Sequence, residues 1–171
     1  GMGVDLTVQC PISWPKVPMT FLLAAGLIRP KGIAPFDTAA RIANSQRPDV
    51  HFILLGGLDS NPEGLLQSEV EALVSGAGIE WPGHVDNVFP YMQRSHVFVL
   101  PSYYREGVPR GIQEALASGR AIITTDNVGC RETVIPGVNG LLVPIKDVNT
   151  LAEAMLTLID DESLTKRFGS S

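Results

Sequence analysis

The sequence predicts an α/β domain: a Rossmann-like, doubly wound parallel sheet of about six strands with helices on both faces. Three observations carry this. Short apolar runs alternate with amphipathic stretches from residue 20 to the end of the chain. Several of those runs are apolar throughout rather than at every second residue, as strands covered on both faces are. Nearly every glycine-rich, charged or aromatic cluster falls just after one of the runs. Regular strand–helix alternation is the pattern of a parallel sheet wound in both directions.

The strands are expected at residues 21–25, 50–55, 79–81, 96–100, 121–125 and 140–143. Between them, Ile33, Phe36, Ala40 and Ala43 form one apolar helical stripe, and Leu66, Val70, Leu73 and Val74 form a second. Val88, Tyr91 and Met92 mark a short third helix. Ile112, Ala115 and Leu116 mark a fourth, with Pro109 suited to its first turn, where a missing N–H costs nothing. The clearest stripe is the last: Leu151, Ala154, Met155, Leu158 and Ile159. Thr150 with Glu153 reads there as a capping box opening the helix.

Composition removes several function classes. With 171 residues, 44% hydrophobic and 18% charged, the chain is long enough for one domain with a sizeable core and far from a disordered composition. Thirteen basic against 18 acidic side chains leave a net charge of −5, which offers no basic field to a nucleic-acid backbone. Cys10 and Cys130 lie far apart with no CxxC or Cys/His spacing. That excludes a disulfide framework and a zinc module, and no carboxylate cluster is spaced for another metal. No apolar run reaches the ~18 residues of a membrane-spanning helix. Residues 1–19, punctuated by Pro11, Pro15 and Pro18, read as a linker or hinge leading into a domain over residues 20–171. A cytoplasmic location is the expectation.

In such folds ligands sit beyond the carboxyl ends of the strands, where loops and helix N-termini converge. The segments in question are residues 26–32, 56–64, 82–86, 101–109 and 126–132. The richest is PSYYREGVPRGIQE over residues 101–114. It puts Glu106 in a loop and Glu114 about one turn inside the following helix. Eight residues would span ~12 Å if all were helical, too far for two carboxylates to share a proton but suited to holding two ends of an elongated ligand. Carboxylates accept hydroxyls and suit polyols, while the N–H groups of Gly107, Val108 and the helix start suit a phosphate. The same spacing also fits a surface Glu followed by a half-buried capping Glu, and both readings stand on spacing alone.

Lys31, in AAGLIRPKG over residues 24–32, stands where a point charge can meet a diphosphate, or it is simply solvated. Neither GxxxxGK[ST] nor GxGxxG occurs. His84, in WPGHVD, has no Ser or Cys nucleophile motif with it, and its loop suits packing against a nucleobase, with Trp81 as wall or core. His51 and His96 open apolar strands and read as structural. Arg131 is placed to pair with Glu106 or a phosphate, and Glu132 to cap N–H groups. Tyr103 and Tyr104 either line a sugar site or anchor their loop.

At these residues the chain resembles the C-terminal domain of GT-B retaining glycosyltransferases of family 4, from about Thr20 to Phe168. The signature is E-x7-E, Glu106 to Glu114, followed by ALASGRAIITT at 115–125 and GCRE at 129–132. Pro101-Ser102, NGLLVP at 139–144 and Lys31-Gly32 match in order, and Gly3-Val-Asp5 resembles the hinge before this domain. YYREGVPR at 103–110 looks most like a branch acting on lipid-linked surface-polysaccharide precursors. The resemblance implies one half of a GT-B fold, a UDP- or GDP-sugar as donor, and Glu106 as the catalytic residue at the donor sugar. It implies contacts to sugar and diphosphate from Arg105, Gly107, Val108, Pro109 and Arg110, the ribose on Glu114, the leaving group on Lys31, and the base near His84. No metal or other cofactor is implied, because cationic side chains and a helix N-terminus stand at the leaving group.

Two departures qualify it. Gly26 stands where the family carries a second, arginine diphosphate clamp, and the chain has no counterpart of the family's N-terminal, acceptor-binding Rossmann domain. That missing domain is the expected partner, membrane contact is expected only through the full-length enzyme, and the isolated chain is expected to be inactive. The alternatives are a non-catalytic nucleotide-sugar-binding module and half of a GT-B sugar-nucleotide epimerase.

Overall fold

The computed structural model describes residues 13–171. The hinge-like Gly3-Val-Asp5 and Cys10 lie outside the described residues. Six strands, β1 (Thr20–Ala24), β2 (His51–Leu55), β3 (Glu80–Gly83), β4 (Val97–Leu100), β5 (Ala121–Thr125) and β6 (Gly140–Val143), form one parallel sheet in the order β3-β2-β1-β4-β5-β6. Helices α1 (Ile33–Gln46), α2 (Gln67–Ala77), α3 (Phe89–Arg94), α4 (Arg110–Ala117), α5 (Val148–Asp160) and α6 (Glu162–Gly169) cover both faces. Short 3-10 turns lie at Arg29–Lys31 and Arg131–Thr133.

The central strands are apolar at successive positions because neither face meets water. Phe21, Leu22 and Leu23 of β1 and Val97, Phe98 and Val99 of β4 are fully buried. Phe21 stacks on Phe52 across the β1–β2 pair, and Phe36 of α1 meets Phe52 edge-on. The α1 stripe thereby sits on the sheet, with α2 and α5 against its flanks.

Two helix assignments are corrected. α5 begins at Val148, ahead of Thr150, because Asp147 is its N-cap: it accepts the Thr150 N–H at 3.0 Å and the Thr150 hydroxyl at 2.8 Å. Aspartate caps at least as well as threonine, so the hydroxyl serves as a donor. α6 is an element the apolar periodicity did not reveal. Its fixed points are the Asp161 cap on the Leu164 N–H and the buried Thr165, Phe168 and Gly169.

At the amino edge of the sheet the incoming segment is pinned. His96 Nδ1 accepts the Thr20 N–H at 3.0 Å and Nε2 donates to the Pro15 carbonyl at 3.1 Å, which fixes the tautomer. Burial holds this imidazole below its ordinary value, so it is neutral at pH 7. Trp14 packs edge-on to His96 and donates to Glu162. Arg120, only 1% exposed, donates to the carbonyls of Met92 and Ser13 and lies 5.8 Å from the Trp14 ring centre. Its guanidinium is pushed down to about 10 by burial.

Candidate functional site

The strand order reverses direction at β1, whose neighbours are β2 on one side and β4 on the other. The crevice beyond their carboxyl ends is where doubly wound sheets bind ligands. A cleft of about 410 Å³ opens there. Gly26 and Lys31 from the β1 loop line it, with His84 from the β3 loop and Glu106, Pro109, Arg110 and Glu114 from the segment after β4.

Lys31 meets Glu106 across the cleft floor. The ammonium donates to the carboxylate, both side chains are more than four-fifths buried, and the Lys31 Nζ also lies 5.0 Å from the Tyr104 ring centre. The pair is neutral as a unit. A lysine has three N–H donors and a carboxylate about four acceptor sites, so each keeps capacity toward the cleft. The expected pairing of Arg131 with Glu106 is corrected here: Arg131 reaches Asp126 at 3.5 Å, while Lys31 holds Glu106.

The eight steps from Glu106 to Glu114 are not all helical, since α4 begins at Arg110. Pro109, expected in the first turn of this helix, is instead its N-cap and has no side-chain group to give the first N–H donors. Those donors have no intrahelical acceptor, and Pro109, Arg110 and Gly111 at that helix start line the cleft. One turn in, Glu114 is 13% exposed and accepts from Arg110 Nε at 2.8 Å through one oxygen, leaving acceptor capacity on the other. Positive helix end, lysine and two carboxylates thus surround one cleft.

The remaining expected residues divide. His84 lies on the cleft wall, 73% exposed, against Asp86 at 3.1 Å. Trp81 braces that wall, donating to the Gly56 carbonyl at 2.9 Å. Arg105 and Gly107 are exposed on the loop, and Val108 is half-buried beside them. Tyr103 and Tyr104 anchor cations rather than line the cleft: Tyr103 carries Lys146 at 4.4 Å and Tyr104 carries Lys31. Arg29 is drawn away to Glu69 at 2.8 Å.

Sequence reasoning missed the residues that hold the loops together. Gly32 has φ +86°, and a Cβ there would stand 2.2 Å from the Pro101 carbonyl oxygen, so the β1 and β4 loops touch backbone to backbone. Ser102 donates to the Pro30 carbonyl and accepts the Tyr104 N–H, while Thr125 and Asn127 donate to the Ser102 carbonyl. Apart from the local Ser102–Tyr104 bond, nothing nearby in the sequence marks these contacts, whose hydrogen bonds join residues 23 to 72 positions apart.

The chain matches the glycosyl transferases group 1 family over residues 19–161. It is 34% identical over 149 residues to an N,N'-diacetylbacillosaminyl-diphospho-undecaprenol alpha-1,3-N-acetylgalactosaminyltransferase of Campylobacter jejuni, covering 87% of this chain and 37% of that protein. It is 29% identical to the capsular polysaccharide biosynthesis glycosyltransferase CapM of Staphylococcus aureus, covering 84% of this chain and again 37% of the relative. Among solved structures, sucrose-phosphate synthase of Thermosynechococcus elongatus superposes with a TM-score of 0.82 at 29% identity, over 98% of this chain and 44% of that one. The C-terminal domain of the group 1 glycosyl transferase LpcC of Francisella tularensis does so with a TM-score of 0.82 at 25% identity, over 98% and 93%. The chain thus spans well under half the length of the curated relatives named here, and its sheet is the Rossmann-like half of a GT-B fold. Among the described residues, no helix is long and apolar enough to cross a membrane. Because the matched residues take in all six strands and the whole of the cleft, the chain belongs to the glycosyl transferases group 1 family.

Proposed function

We propose that this chain is the donor-binding domain of a retaining glycosyltransferase that moves a hexosyl or N-acetylhexosaminyl group from a UDP- or GDP-sugar to an acceptor. The observation that carries the reading is the convergence of the Lys31–Glu106 pair, the uncapped start of α4 and Glu114 on one cleft. An acceptor that is a lipid-linked or polysaccharide sugar is supported by the diphospho-undecaprenol sugar for which the Campylobacter relative is named. The second half of the cleft is supplied by an N-terminal Rossmann domain.

On this reading the diphosphate lies over the α4 N-terminus, where orphaned N–H donors and the positive end of the helix dipole meet its charge. Lys31 adds a point charge as the glycosidic bond breaks and negative charge gathers on the departing phosphate, so no metal ion is called for. Glu106 accepts donor-sugar hydroxyls and stabilises positive charge at the anomeric carbon. Glu114 accepts the ribose hydroxyls, and the backbone around His84 lies against the base.

Glu114→Ala tests this. Hydrogen bonds to a charged group contribute ~1.5–3 kcal/mol, so UDP affinity by calorimetry is expected to fall roughly tenfold or more. An unchanged affinity overturns the ribose assignment. Affinity that survives a chelator supports the lysine and helix as the phosphate site, whereas an absolute requirement for Mg²⁺ overturns it.

Gly26 supplies a second test. Its φ is not in the left-handed region, and a Cβ there would meet only Asp59 Oδ2 at 3.6 Å, an ordinary contact. Arg29 and Arg110 are engaged by Glu69 and Glu114. Gly26→Arg therefore has room, with Asp59 beside it to orient the guanidinium, and is expected to tighten UDP binding by ~1–2 kcal/mol. The gain should shrink in high salt and be absent for uridine, which has no phosphate. A folded variant with unchanged UDP affinity at low salt places the phosphates elsewhere.

A further inference from the structure

The loop that carries Glu106 is neither helix nor strand between Leu100 and Arg110, so its backbone polar groups need partners from other elements. The loop after β5 provides them. Thr125 Oγ1 donates to the Ser102 carbonyl. Asn127 Nδ2 donates to the Ser102 carbonyl at 3.3 Å and to the Tyr104 carbonyl at 3.1 Å. A primary amide carries two N–H bonds on one nitrogen, which lets a single uncharged side chain clasp two carbonyls. Asn127 is itself held, its N–H on the Thr125 carbonyl and its own carbonyl accepting from the Arg131 N–H.

Two residues further on, the contact becomes backbone against backbone. Gly129 has φ +86°, and a Cβ there would stand 2.6 Å from the Glu106 carbonyl oxygen and 2.5 Å from that of Gly107. On the other side Lys31 takes the Glu106 carboxylate, and Tyr104, whose carbonyl Asn127 holds, lies under the Lys31 ammonium. Glu106 is thus set between Lys31 and the β5 loop, and the side-chain clasp nearest to it is the Asn127 amide.

We propose that Asn127 is a positioning residue for Glu106, fixing the carboxylate at the height and angle that receives the donor sugar. The proposal rests on the donor-binding reading above. Asn127 acts through the Ser102 and Tyr104 carbonyls and not by touching the nucleotide. Its removal therefore selects against the sugar portion of the donor and leaves the nucleotide portion alone, which a general loosening of the fold would not do.

The test is calorimetric titration of the 171-residue chain with UDP and with UDP-N-acetylgalactosamine, taking the ratio of the two affinities. The wild-type protein is expected to bind the nucleotide sugar more tightly than UDP. Asn127→Ala is expected to remove most of that excess, roughly threefold or more where the carboxylate's hydrogen bonds to the sugar are weakened and not abolished, while UDP affinity stays within about twofold. Asn127→Asp keeps the size but loses both donors and is expected to behave the same way, and a melting curve of each variant separates a folding defect from the lost clasp. In a Glu106→Gln background, Asn127→Ala is expected to add nothing to the loss, since residues acting through one group are not additive. Retention of the nucleotide-sugar excess in both Asn127 variants, an equal fall for UDP and UDP-N-acetylgalactosamine, or full additivity with Glu106→Gln overturns the proposal and leaves the donor-binding reading intact. A wild-type chain that binds UDP but gains nothing from the sugar overturns the positioning role. One that binds neither overturns the donor-binding reading and the proposal with it.

Discussion

Gly32→Ala is expected to destabilise the protein by about 2–5 kcal/mol, a large part of the ~5–15 kcal/mol that holds a domain folded. Two costs add. The residue sits at φ +86°, where a side chain strains the backbone, and the new Cβ would stand 2.2 Å from the Pro101 carbonyl oxygen, 2.6 Å from its carbon and 2.8 Å from the proline ring. Backbone cannot swing away as a flexible side chain can, so the β1 and β4 loops must part. Lys31 is the neighbour of Gly32, and the segment from Pro101 leads to Glu106, so parting these loops also pulls at the ion pair in the cleft. The melting temperature should fall by roughly 5–15 °C, with UDP affinity falling in parallel. Gly137→Ala is the control: it has φ +78° and open space around its Cβ, so it carries the conformational strain alone, ~1–2 kcal/mol. Equal melting temperatures for the two variants would show that the contact between the loops is slack.

Arg120→Ala is expected to cost about 3–5 kcal/mol. The side chain is one of the largest that is fully buried, and its removal leaves a void as well as the carbonyls of Met92 and Ser13 without their donor. Burial lowers the guanidinium from its ordinary value to about 10, so at neutral pH the charge itself opposes folding, and this opposition is relieved only as the pH rises through 10. The stabilisation therefore comes from packing and hydrogen bonds. Arg120→Met, which keeps most of the volume and removes the charge, should be clearly milder than Arg120→Ala. Denaturant unfolding measures the order. Because Arg120 packs over Trp14, the alanine variant should also shift tryptophan emission to the red, as residues 13–15 lose their anchor. A variant within 1 kcal/mol of the wild type would mean that the edge repacks without it.

The strands were legible in the sequence almost to the residue. Predicted and observed β5 and β6 coincide, and the other four differ at their ends by one or two positions. Burial on both faces makes such strands continuous apolar runs, a signal with few competitors when glycine-rich loops bound it. The α5 start was misread because Asp147 and Thr150 both suit a cap and the choice lies in which oxygen faces which N–H. α6 was missed because eight residues with few buried apolar side chains give too short a stripe for periodicity.

By itself the sequence determined the parallel α/β class, the loops that would bear chemistry, and Glu106, Glu114 and Lys31 as the residues to watch, with Pro109 opening α4 beside them. The class, the loops and the helix start are local facts of periodicity and cap position, whereas the three residues stand out through the family resemblance, because spacing alone left two readings open. Only the tertiary structure decided that Lys31 pairs with Glu106 and leaves Arg131 to Asp126, that the tyrosines hold cations, and that Gly32, Gly129 and Asn127 fasten three loops around one carboxylate. All but the Arg131–Asp126 pair join residues far apart in the chain, 75 positions in the case of Lys31 and Glu106. They exist because the strand order puts β1 beside β4 and β4 beside β5. That order comes from the packing of the whole sheet and its helices, which no window of sequence contains.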